Sequence, residues 1–261
     1  MNKRPPLIIL RDVIFALVLR EVRGRLGANR LGAFWLIFEP LAHIVILISI
    51  YTLIRAHKGY LVQLPVFLAA GVIPFLLFKN VALKGMEAVS ANKALFSYRQ
   101  IKPFDAIFSR VIVESSLMLC IYALVMLVLS AWGGYAFAIH KPLAWFAYLG
   151  AGIAMSFGLA LLFCIVGEAV PEVKTIFRLA FTPLYFISGV IVPVWMIPKK
   201  YLEWILWNPF LHVIEGMHQS LFSVYPKITD VNLYYPWCWA ISLIFVGLAL
   251  YRARRLNLVA I

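Results

Sequence analysis

From Leu143 to Gly167 the chain carries no charged side chain, and the same is true from Leu179 to Ile197 and from Leu233 to Tyr251. At 1.5 Å rise per residue, about 20 helical residues cross a hydrocarbon core about 30 Å thick. Several such runs cannot all be hidden in the interior of a water-soluble fold, whereas a bilayer solvates their side chains while helices satisfy their own backbones. The composition agrees, with 64% hydrophobic and 13% charged residues and a mean hydropathy of +0.91, against about half and about a quarter in globular chains. The class is therefore an all-α integral membrane protein.

Six spans are predicted, at about 33–54, 65–83, 107–132, 143–167, 179–197 and 233–251, all within a single transmembrane domain over residues 1–261. The segment before them is not a cleavable signal, because Arg11 and Asp12 interrupt its apolar run and no small-residue cleavage site follows. Residues 7–26 mix Leu7, Ile8, Ile14 and Phe15 with Arg11, Arg20, Arg23 and Arg25, which fits a helix lying at the membrane surface. Between Tyr201 and Tyr225 the chain is apolar and aromatic, but Pro209 divides it into pieces too short to cross. A re-entrant or interfacial helical hairpin on the outer side is expected at 201–225, before the last span.

Orientation follows from the basic residues. With both termini inside, 18 of the 24 Lys and Arg lie on the inner side, counting Lys79 and Arg110 near inner helix ends, and 6 lie outside. That bias across short loops is a positive-inside signal. The formal charge of +13 is thereby accounted for by topology, and no nucleic-acid partner is expected. All tryptophans but Trp35 then fall at or near the outer face. Outer aromatics such as Trp195, Tyr201, Trp204, Trp207, Tyr235 and Trp239 either anchor the protein at the interface or offer flat faces to sugar rings.

Several chemistries find no residues to carry them. No phosphate-binding G-x-x-x-x-G-K-[ST] loop occurs, so the chain is not expected to bind ATP that way, and no zinc-protease helix, nucleophile elbow or paired-carboxylate site is visible. Gly24, Gly27 and Gly32 belong to a basic linker into the first span, where flexibility explains them. Cys120, Cys164 and Cys238 sit singly in apolar runs and read as packing residues. His212, Glu215 and His218 share helical spacing, which leaves a metal site or a catalytic cluster formally open. A lipid phosphatase or acyltransferase would need that cluster, and a channel would need a polar stripe that the last three spans lack.

Besides Lys79 near the end of the second, three charges lie inside predicted spans: Glu39 in the first, Arg110 and Glu114 in the third. Such groups normally face protein or water. Arg110 and Glu114, four apart, either pair with each other or line a gate or path for an anionic substrate. The inner stretch 84–105 is amphipathic, with Leu95, Phe96, Tyr98 and Ile101 among Lys93, Arg99 and Lys102. It reads either as a solvated or membrane-surface helix or as a docking element for a soluble partner.

Successive blocks of residues carry a resemblance. These are R-E-V-R-G-R-L-G-A-N-R-L-G-A-F-W-L-I-F-E-P-L-A-H from Arg20 to His43, then Pro65-Val66-Phe67 with Gly71-Val72-Ile73-Pro74-Phe75, Ala91-Asn92 through Leu95-Phe96-Ser97-Tyr98-Arg99, and Lys102-Pro103-Phe104-Asp105. Further on come Pro183-Leu184-Tyr185-Phe186-Ile187-Ser188, Ile197-Pro198-Lys199, Leu206-Trp207-Asn208-Pro209 with His212-Val213 and Glu215, and Gly247-Leu248-Ala249-Leu250-Tyr251-Arg252. In this order, over nearly the whole chain, they resemble the ABC type-2 exporter permeases, in particular the KpsM-type inner-membrane permeases of capsular polysaccharide export. One departure stands: where that family often has an arginine three residues after the glutamate, this chain has His218, which removes that charge partner from Glu215.

The resemblance implies a homodimer of the permease in the bacterial inner membrane, with two copies of a separate nucleotide-binding subunit that holds ATP and Mg. This chain would bind no cofactor or metal and catalyse nothing itself. The substrate would be a lipid-linked capsular polysaccharide, with O-antigen or teichoic acid as the alternative, and a periplasmic co-polymerase and an outer-membrane export protein would complete the path. A coupling helix set against the ATPase maps onto Ala91, Asn92, Leu95, Phe96, Ser97, Tyr98, Arg99 and Lys102, within a coupling loop at 87–105. A second, shorter contact maps onto residues 170–174, with Pro171, Glu172 and Lys174. Glu39, Arg110, Glu114, Asn208, Pro209, His212, Glu215, Trp204 and Trp207 are the expected path or gate residues.

Overall fold

The computed structural model describes residues 5–27, 32–54, 62–98, 100–135, 138–226, 228, 230–256 and 258. Of the expected site residues, Arg99 lies outside this set. Among the described residues the chain is helical: α1 (Pro6–Gly27), α2 (Gly32–Ile54), α3 (Leu64–Met86), a 3-10 segment (Ser90–Ser97), α4 (Pro103–Ala131), α5 (Pro142–Ala169), α6 (Val173–Ile187), a 3-10 turn (Val194–Met196), α7 (Lys199–Leu202), α8 (Pro209–Leu221) and α9 (Tyr234–Arg254).

Prolines mark several starts, as Pro65, Pro103, Pro142 and Pro209 stand in the first turns of α3, α4, α5 and α8, where the missing N–H costs nothing. Among the described residues, four helices are long and apolar enough to cross a membrane, namely α3, α4, α5 and α9, while α2 contributes a shorter apolar stretch, Phe38–Tyr51. In place of one uninterrupted span at 179–197, α6 begins earlier and ends at Ile187. The chain turns at Gly189, whose φ of +71° lies where a Cβ is disfavoured, and the apolar composition continues past a helix that has already stopped.

The core is organised around α3. It packs against α4 and α5, and α5 in turn packs against α9 and α8. From Val66 to Phe78 the side chains of α3 are all buried, so it reads as hydrophobic all round, as a helix enclosed by others must. Close approach is set locally: a Cβ on Gly152 of α5 would overlap the Phe78 ring of α3. α1 packs along α4 with lighter contact to α2, and leaves Leu7, Leu10 and Phe15 exposed, as suits a helix bedded in the bilayer surface.

Candidate functional site

Five charged side chains converge where α1 meets the C-terminal end of α3 and the N-terminal part of α4. Arg110 of α4 donates from Nε to Glu21 Oε1 at 3.0 Å and from Nη2 to Oε2 at 3.4 Å, and from Nη1 to the Lys84 carbonyl at 3.1 Å. Arg25 donates to Glu21 at 3.0 Å and pairs with Glu114. Lys84 lies 3.2 Å from the same Glu114 carboxylate, which is 1% exposed. The expected alternative in which Arg110 and Glu114 satisfy one another is therefore not what forms. Each is met by the oppositely charged residue of α1, and the two glutamates and two arginines alternate. Burial pushes the Glu21 carboxyl up, the Arg110 and Arg25 guanidiniums beside it pull it down, and the net lies below the ordinary carboxylate value.

Arg20, one residue before Glu21, donates from Nη1 to Asn92 Oδ1 at 3.0 Å. Asn92 is itself fixed by its Nδ2 donating to the Ala88 carbonyl at 2.8 Å. α1 thus touches both α4 and the 3-10 segment, and between them lies a cleft of about 490 Å³ lined by Arg20, Glu21, Arg25, Lys84, Asn92 and Arg110. With four cations among those residues and two carboxylates counting Glu114, the cleft is positive. An apolar groove of about 840 Å³ adjoins it, shares Arg20, and runs between Val13 and Leu17 of α1 and Leu95, Tyr98 and Ile101. Glu39 does not join this cluster: it is exposed and forms no ion pair with a described residue.

The 3-10 segment presents only part of its apolar set outward. Phe96 is 6% exposed and belongs to the chain's main core, which corrects the expectation that its ring is free to be covered by a partner. Leu95 is half-buried, whereas Ala91, Ser97, Tyr98 and Lys102 are exposed, and Tyr98 at 64% is the ring available for docking. In the shorter contact, Pro171 and Glu172 are exposed, but Lys174 turns back to donate to Glu168 at 2.7 Å.

At the opposite end of the bundle, α7 and α8 occupy the region expected to form the outer hairpin. Asn208 caps α8, its Oδ1 accepting from Phe210 N at 3.0 Å and its Nδ2 donating to Ser188 Oγ at 2.9 Å. His212 is held between the Leu206 carbonyl at 2.8 Å and the Asn232 N–H at 3.3 Å. Glu215 is fully buried and accepts from Tyr225 Oη at 3.0 Å and Gln219 Nε2 at 3.3 Å. Both donors are neutral, and among the described residues no cation pairs with this carboxylate. His218 packs on Phe67, its Nε2 3.2 Å from that residue's carbonyl. Among the described residues no group of three or more His, Cys, Asp or Glu is arranged to hold a metal, and His212 and His218 point to different partners. Trp204 and Trp207 are exposed and take no part in this cluster. Tyr225 becomes legible as a site residue only through its partner, since it has no spacing that announces it, while Asn92, expected on the coupling segment, is instead held by Arg20 of α1.

A family model for ABC-2 type transporters matches residues 12–222. The chain belongs to that family. It is 38% identical over 246 residues, 94% of this chain and 95% of the relative, to the polysialic acid transport protein KpsM of Escherichia coli. It is also similar to the capsule polysaccharide export inner-membrane protein CtrC of Neisseria meningitidis, at 28% over 247 residues and 94% and 91% of the two chains. The O-antigen export system permease protein RfbA of Klebsiella pneumoniae is 22% identical over 213 residues, 78% of each chain. The matched range covers most of α1, the charge cluster, the 3-10 segment, residues 170–174 and α8.

Proposed function

We propose that this chain is the membrane-spanning subunit of an inner-membrane exporter of lipid-linked capsular polysaccharide, driven by ATP hydrolysed on separate subunits. The likeness to KpsM along 94% of the chain carries the reading. Two copies of the chain form the pathway with both termini cytoplasmic, six spans each, and 201–225 as the outer re-entrant segment. Two nucleotide-binding subunits hold ATP and Mg, and a periplasmic co-polymerase and outer-membrane export protein receive the polymer. The positive cleft beside α1 supports this, because four cations against two carboxylates favour an anionic headgroup and the adjoining apolar groove suits an acyl chain. O-antigen export is the second reading, favoured only by the more distant RfbA likeness.

The test is reconstitution of the permease with the nucleotide-binding subunit of a capsule exporter in vesicles containing an acidic glycolipid. ATP-dependent appearance of polymer in the lumen of inside-out vesicles is expected. Turnover of ATP with no polymer moved, by a complex of intact subunits offered several anionic glycolipids, refutes the reading.

A further inference from the structure

Glu168 stands in the last turn of α5, where the helix presents its carbonyls and a negative charge is locally disfavoured. Its presence there is balanced by cations from two different inner segments. Lys174 Nζ lies 2.7 Å from Oε1, and Lys93 Nζ, from the 3-10 segment, lies 3.7 Å from Oε2. The preceding residue is a glycine, and a Cβ there would come 2.8 Å from Lys174 Cε and 2.9 Å from Lys174 Cγ, so the flexible lysine stem would have to shift aside. The bare backbone lets the lysine stem lie across the helix end and deliver its amine to the carboxylate. A second tie runs parallel to the first, since Arg178 of α6 pairs with Glu87 in the turn before the 3-10 segment.

We propose that Glu168 is a positioning residue that holds the two inner contact segments, Ser90–Ser97 and residues 170–174, at one fixed separation, so that a partner ATPase meets them as a single surface. This rests on the function proposed above. Lys174 is then a strut within the permease and does not face the partner, and the exposed Ala91, Tyr98, Pro171 and Glu172 form the surface presented. Lys93 and Arg178 are each 52% exposed, so the ties are weak enough to be remade within a transport cycle.

The experiment uses the full chain with Cys120, Cys164 and Cys238 changed to Ala and spin labels on cysteines at Ala91 and Thr175. Their distance distribution is expected to be narrow in the parent, broader in Glu168→Gln and in Gly167→Ala, and narrow again when Glu168→Lys is combined with Lys93→Glu and Lys174→Glu. In the complete transporter, Glu168→Gln is expected to lower polymer exported per ATP about two- to fivefold, and the charge exchange to restore it. An unchanged distribution in both single variants overturns the positioning role, as does export per ATP that stays normal in Glu168→Gln. A distribution that responds, while the unmodified chain retains no nucleotide-binding subunit, overturns instead the function proposed above.

Discussion

Replacing Glu114 with Gln keeps the size of the side chain and removes the charge that Arg25 and Lys84 share. The carboxylate is 1% exposed and Arg25 is 14% exposed, whereas Lys84 is 37% exposed. Losing one partner of a buried pair costs about 3–5 kcal/mol. Here Arg25 keeps Glu21 at 3.0 Å and Lys84 reaches water, so the expected cost is smaller, about 2–3 kcal/mol. For a chain of this size that corresponds to a fall of about 5–10 °C in Tm. The assay is thermal unfolding of the purified protein in detergent, with Glu39→Gln as the comparison, because Glu39 is exposed and should move stability by no more than about 0.5 kcal/mol. If Glu114→Gln and Glu39→Gln melt together while both remain folded, the alternating cluster does not act as a clamp holding α1 to α4.

The same clamp has a pH signature. Because the Glu21 carboxyl is held below its ordinary value, its contribution is present above the unfolded-chain value near 4.5 and is lost as pH falls through the depressed folded value. The Tm of the purified protein should therefore fall as pH is lowered through that range, and Glu21→Gln should flatten the fall. Phe96→Ala is expected to cost about 3–5 kcal/mol as a core truncation, seen as lower Tm without any partner, whereas Tyr98→Ala should leave Tm unchanged and weaken co-purification of the ATPase. Gly152→Ala should separate α3 from α5 or displace the Phe78 ring, at about 1–3 kcal/mol by thermal melting. Asn208→Ala should cost about 1–2 kcal/mol through the lost cap, and export that survives with an unaltered Tm would show that neither the cap nor the Ser188 contact matters.

The charge-free runs at 143–167 and 233–251 were readable because hydropathy alone decides whether a helix belongs in a bilayer, and α5 and α9 occupy them. The run at 179–197 is equally apolar, yet its helix ends at Ile187 because Gly189 adopts a positive φ, a conformational event to which hydropathy is blind. α1 was legible from its mixture of arginines and aliphatics, but its role was not. Spacing suggested that Arg110 and Glu114 face each other, and only the fold brings Glu21, 89 positions away, to Arg110. Phe96 shows the same limit from the other side. An amphipathic pattern says that a ring will be covered without saying by which surface, and here the chain's own core covers it. The loss of an arginine after Glu215 was visible, while Tyr225 as its replacement partner was not, because a phenol ten residues on has no distinguishing spacing.

The inner charge cluster also has a consequence for how the chain is made. Glu21, Arg25, Lys84, Arg110 and Glu114 all precede residue 115, whereas α5, α6, α8 and α9 follow it. Chains fold from the amino terminus as synthesis proceeds, and every member of the set has been synthesised before α5, one of the two main partners of α3, begins. Arg110 and Glu114 therefore need not wait, uncompensated, for the rest of the bundle. Their counter-charges are already present on α1, and a nascent chain halted once α4 has cleared the ribosome should already hold its first helix in place.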